Sequence, residues 1–299
     1  MNIMNAKTHR HLSDTRGNTF GIGFFKVCMA LFGLRFCCLF VWFVAAFYAV
    51  FDRKAFRAAR PYLASRFPCA GACALHWHFY RMIVSHGQAI VMAYWLRTGH
   101  AVPVRDVNPQ NREAMLRQKE NGFIMLMSHV GCWQAAIPRM EAFENNVNLL
   151  IQSNMNNAYT KLLEGNHFNV IANDAPFGGL LEAADALQNH EILCLMGDRL
   201  PDDVPTQLSI PLCGRTLRIP EAPWHLAALC KTPIFIIFTI MRQSAIDYIY
   251  FPPIEMDYDL PRKPTPEDLQ PFVAKYQEAL SSVADSFPYQ IFHYDISEN

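Results

Sequence analysis

What this sequence lacks first is an imbalance of charge: 26 lysine and arginine residues meet 26 aspartate and glutamate residues along 299 positions. A chain without net charge offers no broad phosphate-tracking surface, so nucleic acid is not an expected partner. Charge is scarce as well as balanced, at 17% of residues against an apolar fraction of 52%. That proportion departs from ordinary soluble enzymes toward proteins that touch lipid. Repeats and low-complexity tracts are missing too, which excludes solenoids and disordered arrays. Paired cysteine knuckles are also missing. The nine cysteines are scattered, odd in number and set mostly among apolar neighbours, as reduced buried thiols are. They fit the cytoplasmic side of a membrane better than an oxidising compartment. The closest approach to a metal motif, Cys69, Cys73, His76 and His78 in "CAGACALHWH", has none of the usual zinc spacings, and no metal is expected.

The apolar excess concentrates in residues 20–51, "FGIGFFKVCMALFGLRFCCLFVWFVAAFYAVF", interrupted by Lys26 and Arg35. The uninterrupted stretch Phe36 to Phe51 is slightly shorter than the ~20 residues a spanning helix requires. Basic residues flank both ends, with Lys7, Arg10, Arg16 and Lys26 before and Arg53, Lys54, Arg57 and Arg60 after, so charge bias does not set an orientation. No small-residue cleavage site precedes Asp52, which argues against a removed leader. The expectation is a polar segment 1–18, a retained anchor 19–52 that enters one leaflet or spans at a tilt, and a domain 53–299. A buried core helix is the alternative for 19–52.

Residues 53–67 and 76–97 read as amphipathic helices with aromatic stripes. Short apolar runs follow: "GFIMLMSH", "NLLIQSN", "FNVIAN", "EILCLMGD" and "TPIFIIFTI". They are separated by helical segments such as "APFGGLLEAADALQNH" and "EAPWHLAALCK". Strands alternating with helices predict an α/β fold, a mostly parallel central sheet flanked by helices. A last helix follows Pro264 and Pro266.

On that frame "GFIMLMSH" is a strand ending at Ser128 and His129, and "VGCWQAAIPRMEAF" is expected to start a helix. Ligands of open α/β sheets sit at the carboxyl ends of strands. A histidine there can take a proton from a hydroxyl near neutral pH, and a helix start can steady a developing negative charge. Gly131 permits close backbone approach. Asp198 ends the later strand "EILCLMGD" and would converge on the same crevice. Asp174 reads as a helix cap, and Glu141 lies two helical turns past position 134. Cys132, three residues after His129, offers an alternative thiolate nucleophile for a hydrolase or ping-pong transferase.

"SHVGCWQ" resembles the His-x-Gly-Asn-Trp-Glu block of the lipid A late acyltransferase family, bacterial membrane enzymes that move a fatty acyl chain from acyl carrier protein to a lipid hydroxyl. The anchor with "YAVFDRKAFRAARPYLASRF", the block "EILCLMGDRLPDD", the segment "LSIPLCGRTLRIPEAPWHLAALCKTPIF" and the tail "FPYQIFHYDIS" are similar to further parts of that family, so the resemblance covers most of the chain. It implies an acyl carrier protein or CoA thioester as co-substrate with no other cofactor, a membrane lipid acceptor such as a lipid A precursor, and the cytoplasmic face of a bacterial inner membrane. His129 would be the general base, with donors near the helix start holding the oxyanion. Asp198 would belong to the site, Gly131, Trp133, Arg199 and Arg215 would bind substrate, and Arg215 and Arg218 are the candidates to meet a phosphate on acceptor or carrier. Where the family has an orienting carboxylate this chain has Gln134, which can fix a tautomer but adds no charge. A catalytically silent lipid-binding homologue is the remaining alternative.

Overall fold

The computed structural model describes residues 19–140, 143, 146–151, 168–173, 176–200, 206–256, 260 and 263–292. In chain order the elements are α1 (Thr19–Phe51), α2 (Arg53–Arg66), α3 (Ala72–Arg97), β1 (Val104–Val107), α4 (Pro109–Arg117), β2 (Phe123–Met127), a 3-10 turn (Trp133–Ala136) and α5 (Ile137–Met140). After these come β3 (Val147–Ile151), β4 (Phe168–Ala172), α6 (Leu180–Gln188), β5 (Ile192–Met196), β6 (Ser209–Leu212), β7 (Arg215–Arg218), α7 (Ala222–Cys230), β8 (Ile234–Arg242), β9 (Ala245–Tyr250) and α8 (Pro266–Ser286).

The central sheet has the order β1-β9-β8-β2-β5-β3-β4. The strands β8, β2, β5, β3 and β4 are mutually parallel, β9 runs against β8, and β1 follows β9. The parallel strands need apolar side chains on both faces, which is why their sequences read as unbroken apolar runs. Ile124 and Leu126 of β2 point into one core, with Leu193 and Leu195 of β5 and with Leu63, Trp224 and Tyr276 from α2, α7 and α8. Phe123, Met125 and Met127 point into the other, against Cys37, Val41, Val84 and Met92 of α1 and α3. Burying each large apolar side chain contributes about 1.5–3 kcal/mol, so this two-sided packing holds the strand ends where the site forms.

The expected α/β architecture is therefore present, and each of the five apolar runs is a strand. The α8 start is also as the prolines suggest: Pro266 opens the helix, and Thr265 and Asp268 cap each other's backbone N–H groups. Three departures stand out. The strand β9, the edge strand β1 and the small antiparallel pair β6–β7 carry short or polar sequences with little periodic signal. Among the described residues the helix expected from Val130 starts later, as a 3-10 turn (Trp133–Ala136) followed by α5, because backbone bonds tie residues 130–132 to neighbouring segments until Trp133. The helix expected as an anchor is not continuous either. Gly33 sits at φ 75° and ψ −177° inside α1, and Phe24 meets Phe40 with ring centroids 5.3 Å apart. In an unbroken helix those residues would be roughly 24 Å apart, so α1 folds back on itself as two arms, 19–32 and 34–51.

Candidate active site

The strands β2 and β5 are neighbours in register, with Met127 opposite Met196. Each continues two residues past that pair, to Ser128 and His129 on one side and Gly197 and Asp198 on the other. The chain leaves β2 for β3 on one side of the sheet order and leaves β5 for β8 on the other, so the two ends lie at a switch point, where open α/β sheets place their ligands. The Gly197 N–H still bonds the Met127 carbonyl at 2.8 Å, which carries the register forward.

That register sets His129 against Asp198. The His129 backbone N–H donates to Asp198 Oδ2 at 2.6 Å, and its Nδ1 lies 3.1 Å and 3.2 Å from Oδ1 and Oδ2. A carboxylate only accepts, so Nδ1 carries the proton and the neutral ring keeps its lone pair on Nε2. Asp198 is 1% exposed while the His129 side chain is 20% exposed, a dry anion behind a base that reaches solvent. The ion favours the imidazolium that forms when Nε2 takes a proton. Behind the pair, the Tyr276 hydroxyl and Ser128 Oγ share a 2.8 Å hydrogen bond. Burial first, and the Asp198 charge second, hold the Tyr276 phenol far above its usual range, so it stays protonated.

The turn after His129 is bound on both sides. Gly131 N–H donates to the Gln290 carbonyl at 2.8 Å, Cys132 N–H to the Thr239 carbonyl at 2.9 Å, and Phe292 N–H to the His129 carbonyl at 3.1 Å. The Thr239 hydroxyl returns a bond to the Cys132 carbonyl at 2.7 Å. The Gln290 side chain bridges the Met241 N–H and carbonyl, both at 2.9 Å. Gly131 has φ +58°, and an added Cβ would run into the Thr239 carbonyl oxygen. These bonds engage the amides of Gly131 and Cys132 within the fold, so neither points a donor at an oxyanion.

The structure thus brings His129, Asp198, Gly131, Trp133 and Arg199 together. The Trp133 ring lies edge-on to the His129 ring at 6.0 Å, and Arg199 Nη2 donates to the Phe292 carbonyl at 3.3 Å. Gln134 is in the 3-10 turn with Oε1 3.9 Å from Cys132 Sγ, and the carboxylate on Nδ1 comes from Asp198. Arg215 opens β7 in the small hairpin, whose turn at Gly214 packs against Ser65 of α2, and Arg218 closes that strand. Cys132 is fully buried, and burial pushes its thiol up to about 12, so it does not ionise near neutral pH. His76 and His78 stack on different rings, Phe56 and Phe67. Asp174, Glu141 and the tail beyond Phe292 lie outside the described residues.

Sequence reasoning passed over Gln290, Thr239, Tyr276 and His86. A lone hydroxyl inside "IFIIFTIMR" was the available signal for Thr239, and a histidine on an otherwise apolar helix was the signal for His86. The His86 ring packs on Phe292 at 4.6 Å. Burial first, then the Arg199 charge and the nearby His129, lowers its pKa to about 4. The folded protein therefore holds His86 neutral, while the unfolded chain takes a proton near 6.5. Stability is complete above about pH 6.5 and falls as pH drops toward 4, by roughly 3 kcal/mol in all. His86→Phe is expected to flatten that limb in melting temperatures measured across pH; wild-type and variant curves that stay parallel between pH 6.5 and 4 would refute it.

No protein-family model matches this sequence, and no curated protein matches it. Among solved structures, a crystal structure of a 1-acyl-sn-glycerophosphate (LPA) acyltransferase, PlsC, from Thermotoga maritima is similar, with 14% identity over 83% of this chain and 97% of that one and a TM-score of 0.40. At that score the likeness assigns no activity to this chain.

Proposed function

We propose that this protein is a membrane-associated O-acyltransferase that moves a fatty acyl chain from an acyl carrier protein or CoA thioester to a lipid hydroxyl. The observation that carries the reading is the His129–Asp198 pair, a solvent-reaching imidazole held in one tautomer by a buried carboxylate at the switch point of a parallel sheet. In this reading Nε2 of His129 removes the hydroxyl proton as the oxygen attacks the thioester carbonyl. The tetrahedral oxyanion is met by the Arg199 guanidinium or the Trp133 indole N–H. The thiolate then leaves and takes the proton from the imidazolium, which restores the base. The finer assignment, a lipid A precursor as acceptor on the cytoplasmic face of a bacterial inner membrane, rests on the resemblance of "SHVGCWQ" and "EILCLMGDRLPDD".

The test uses the purified full chain in detergent with labelled acyl carrier protein or CoA thioesters, offered a lipid A precursor or a lysophospholipid. Acceptor-dependent transfer that disappears in His129→Ala is the expected result. Transfer that survives His129→Ala overturns the reading. Since the Cys132 thiol is buried and protonated, Cys132→Ala and thiol alkylation are expected to leave turnover within a factor of a few. Abolition of turnover by either treatment would instead support a thiolate mechanism.

A further inference from the structure

We infer that α1 is an interfacial hairpin lying along one leaflet of an anionic membrane, not a transmembrane span, and that the cationic side of α2 contacts the lipid headgroups. The inference stands independently of the acyltransferase reading.

Length is the first argument. The break at Gly33 leaves arms of about 21 Å and 27 Å, each short of the ~30 Å hydrocarbon core. Phe24 and Phe25 both pack on Phe40, at 5.3 Å and 5.9 Å, so the arms double back and do not add their lengths.

Attachment is the second. Leu34, Cys37, Val41 and Ala45 form a buried stripe on the second arm. Tyr80 of α3 donates to the Trp42 carbonyl at 2.9 Å, and Gln88 donates to the Cys38 carbonyl at 3.1 Å. Because α3 also packs on the central sheet, this arm could not cross a bilayer without carrying α3 into it.

The exposed side supplies the third. Phe36, Leu39, Phe43, Phe47 and Val50 recur every three or four residues and are exposed, opposite the buried stripe. Nothing among the described residues covers them. Arg35 is exposed next to this stripe. At the centre of a span it would face hydrocarbon at high cost, whereas in a shallow helix its side chain reaches back to the phosphates.

Charge complementarity identifies the occupant. α2 starts one residue after α1, with Asp52 capping it through a 3.0 Å bond from the Ala55 N–H. Its exposed residues Arg53, Lys54, Arg57 and Arg60 fall on one side of the helix. An apolar stripe joined to a cationic helix fits an anionic phospholipid surface.

The experiment has two readouts on the full chain. In flotation, the protein is expected to bind vesicles containing phosphatidylglycerol on the order of a hundredfold more tightly than pure phosphatidylcholine vesicles. Added salt, or the combined substitutions Arg53→Gln, Lys54→Gln, Arg57→Gln and Arg60→Gln, should remove that difference. Equal binding of wild type to both vesicle types overturns the headgroup contact. In sealed vesicles with the α/β part facing outward, external protease should remove an N-terminal tag together with that part. A tag protected inside the vesicle while the α/β part is digested overturns the hairpin and establishes a span.

Discussion

Asp198→Asn is expected to lower acyl transfer by about four orders of magnitude while the protein stays folded. The carboxylate accepts from both the His129 backbone N–H and Nδ1. An asparagine amide in its place can turn a donor toward Nδ1, which moves the ring proton to Nε2 and removes the lone pair needed for catalysis. It also removes the charge that stabilises the imidazolium. Because the two side chains have the same shape, melting temperature and circular dichroism should change far less than turnover. Gln134→Glu, by contrast, should preserve or raise activity. It should not rescue Asp198→Asn, because position 134 lies in the 3-10 turn beside Cys132 while the partner of His129 Nδ1 comes from position 198. Turnover of Asp198→Asn within tenfold of wild type, measured with saturating thioester and acceptor, would sink the assignment of this carboxylate as the residue that positions His129.

Gly131→Ala should damage both fold and activity. The position has φ +58°, where a side chain is strained, and the new Cβ would meet the backbone oxygen of Thr239, which lies in a buried strand and cannot move aside like a flexible side chain. Relief requires parting the turn from β8, which breaks the Cys132 to Thr239 bond at 2.9 Å and loosens the Gly131 to Gln290 bond at 2.8 Å. The expected cost is about 2–4 kcal/mol of stability. Residual folded protein should still lose activity by on the order of a hundredfold, because the His129 ring no longer approaches its acceptor at the same angle. Denaturant melts paired with turnover per folded molecule separate the two effects. A variant with wild-type stability would show that the turn does not need its glycine.

Much of the architecture was legible in the chain. The apolar runs of β2, β5 and β8 announce strands buried on both faces, since a parallel sheet between helices has no solvent side to fill with polar residues. The long helices announce themselves by their stripes, and α8 by its prolines. The β6–β7 pair and the edge strand β1 were not legible, because four-residue strands give no periodic signal and are held by partners distant in sequence. Within the site, His129 and Asp198 could each be named as strand-end residues. Which carboxylate serves the histidine could not be settled from the sequence, where Gln134 is five residues away and Asp198 is 69. Local spacing draws attention to position 134, whereas the pairing of Met127 with Met196 decides for Asp198.

The same division holds for the apolar segment 20–51. Its composition shows that residues 20–51 seek an apolar environment, since sequence alone reports how much hydrocarbon surface a segment carries. Composition cannot report direction. One backbone angle at Gly33 and the packing of the second arm on α3 decide that the segment doubles back. Identity and order of residues thus established that this chain is an α/β protein with an apolar lead segment and a histidine at a strand end. Only tertiary structure decided which carboxylate stands behind that histidine, which backbone donors are already taken, and which side of α1 is left exposed, because each of these depends on contacts between residues far apart in the chain.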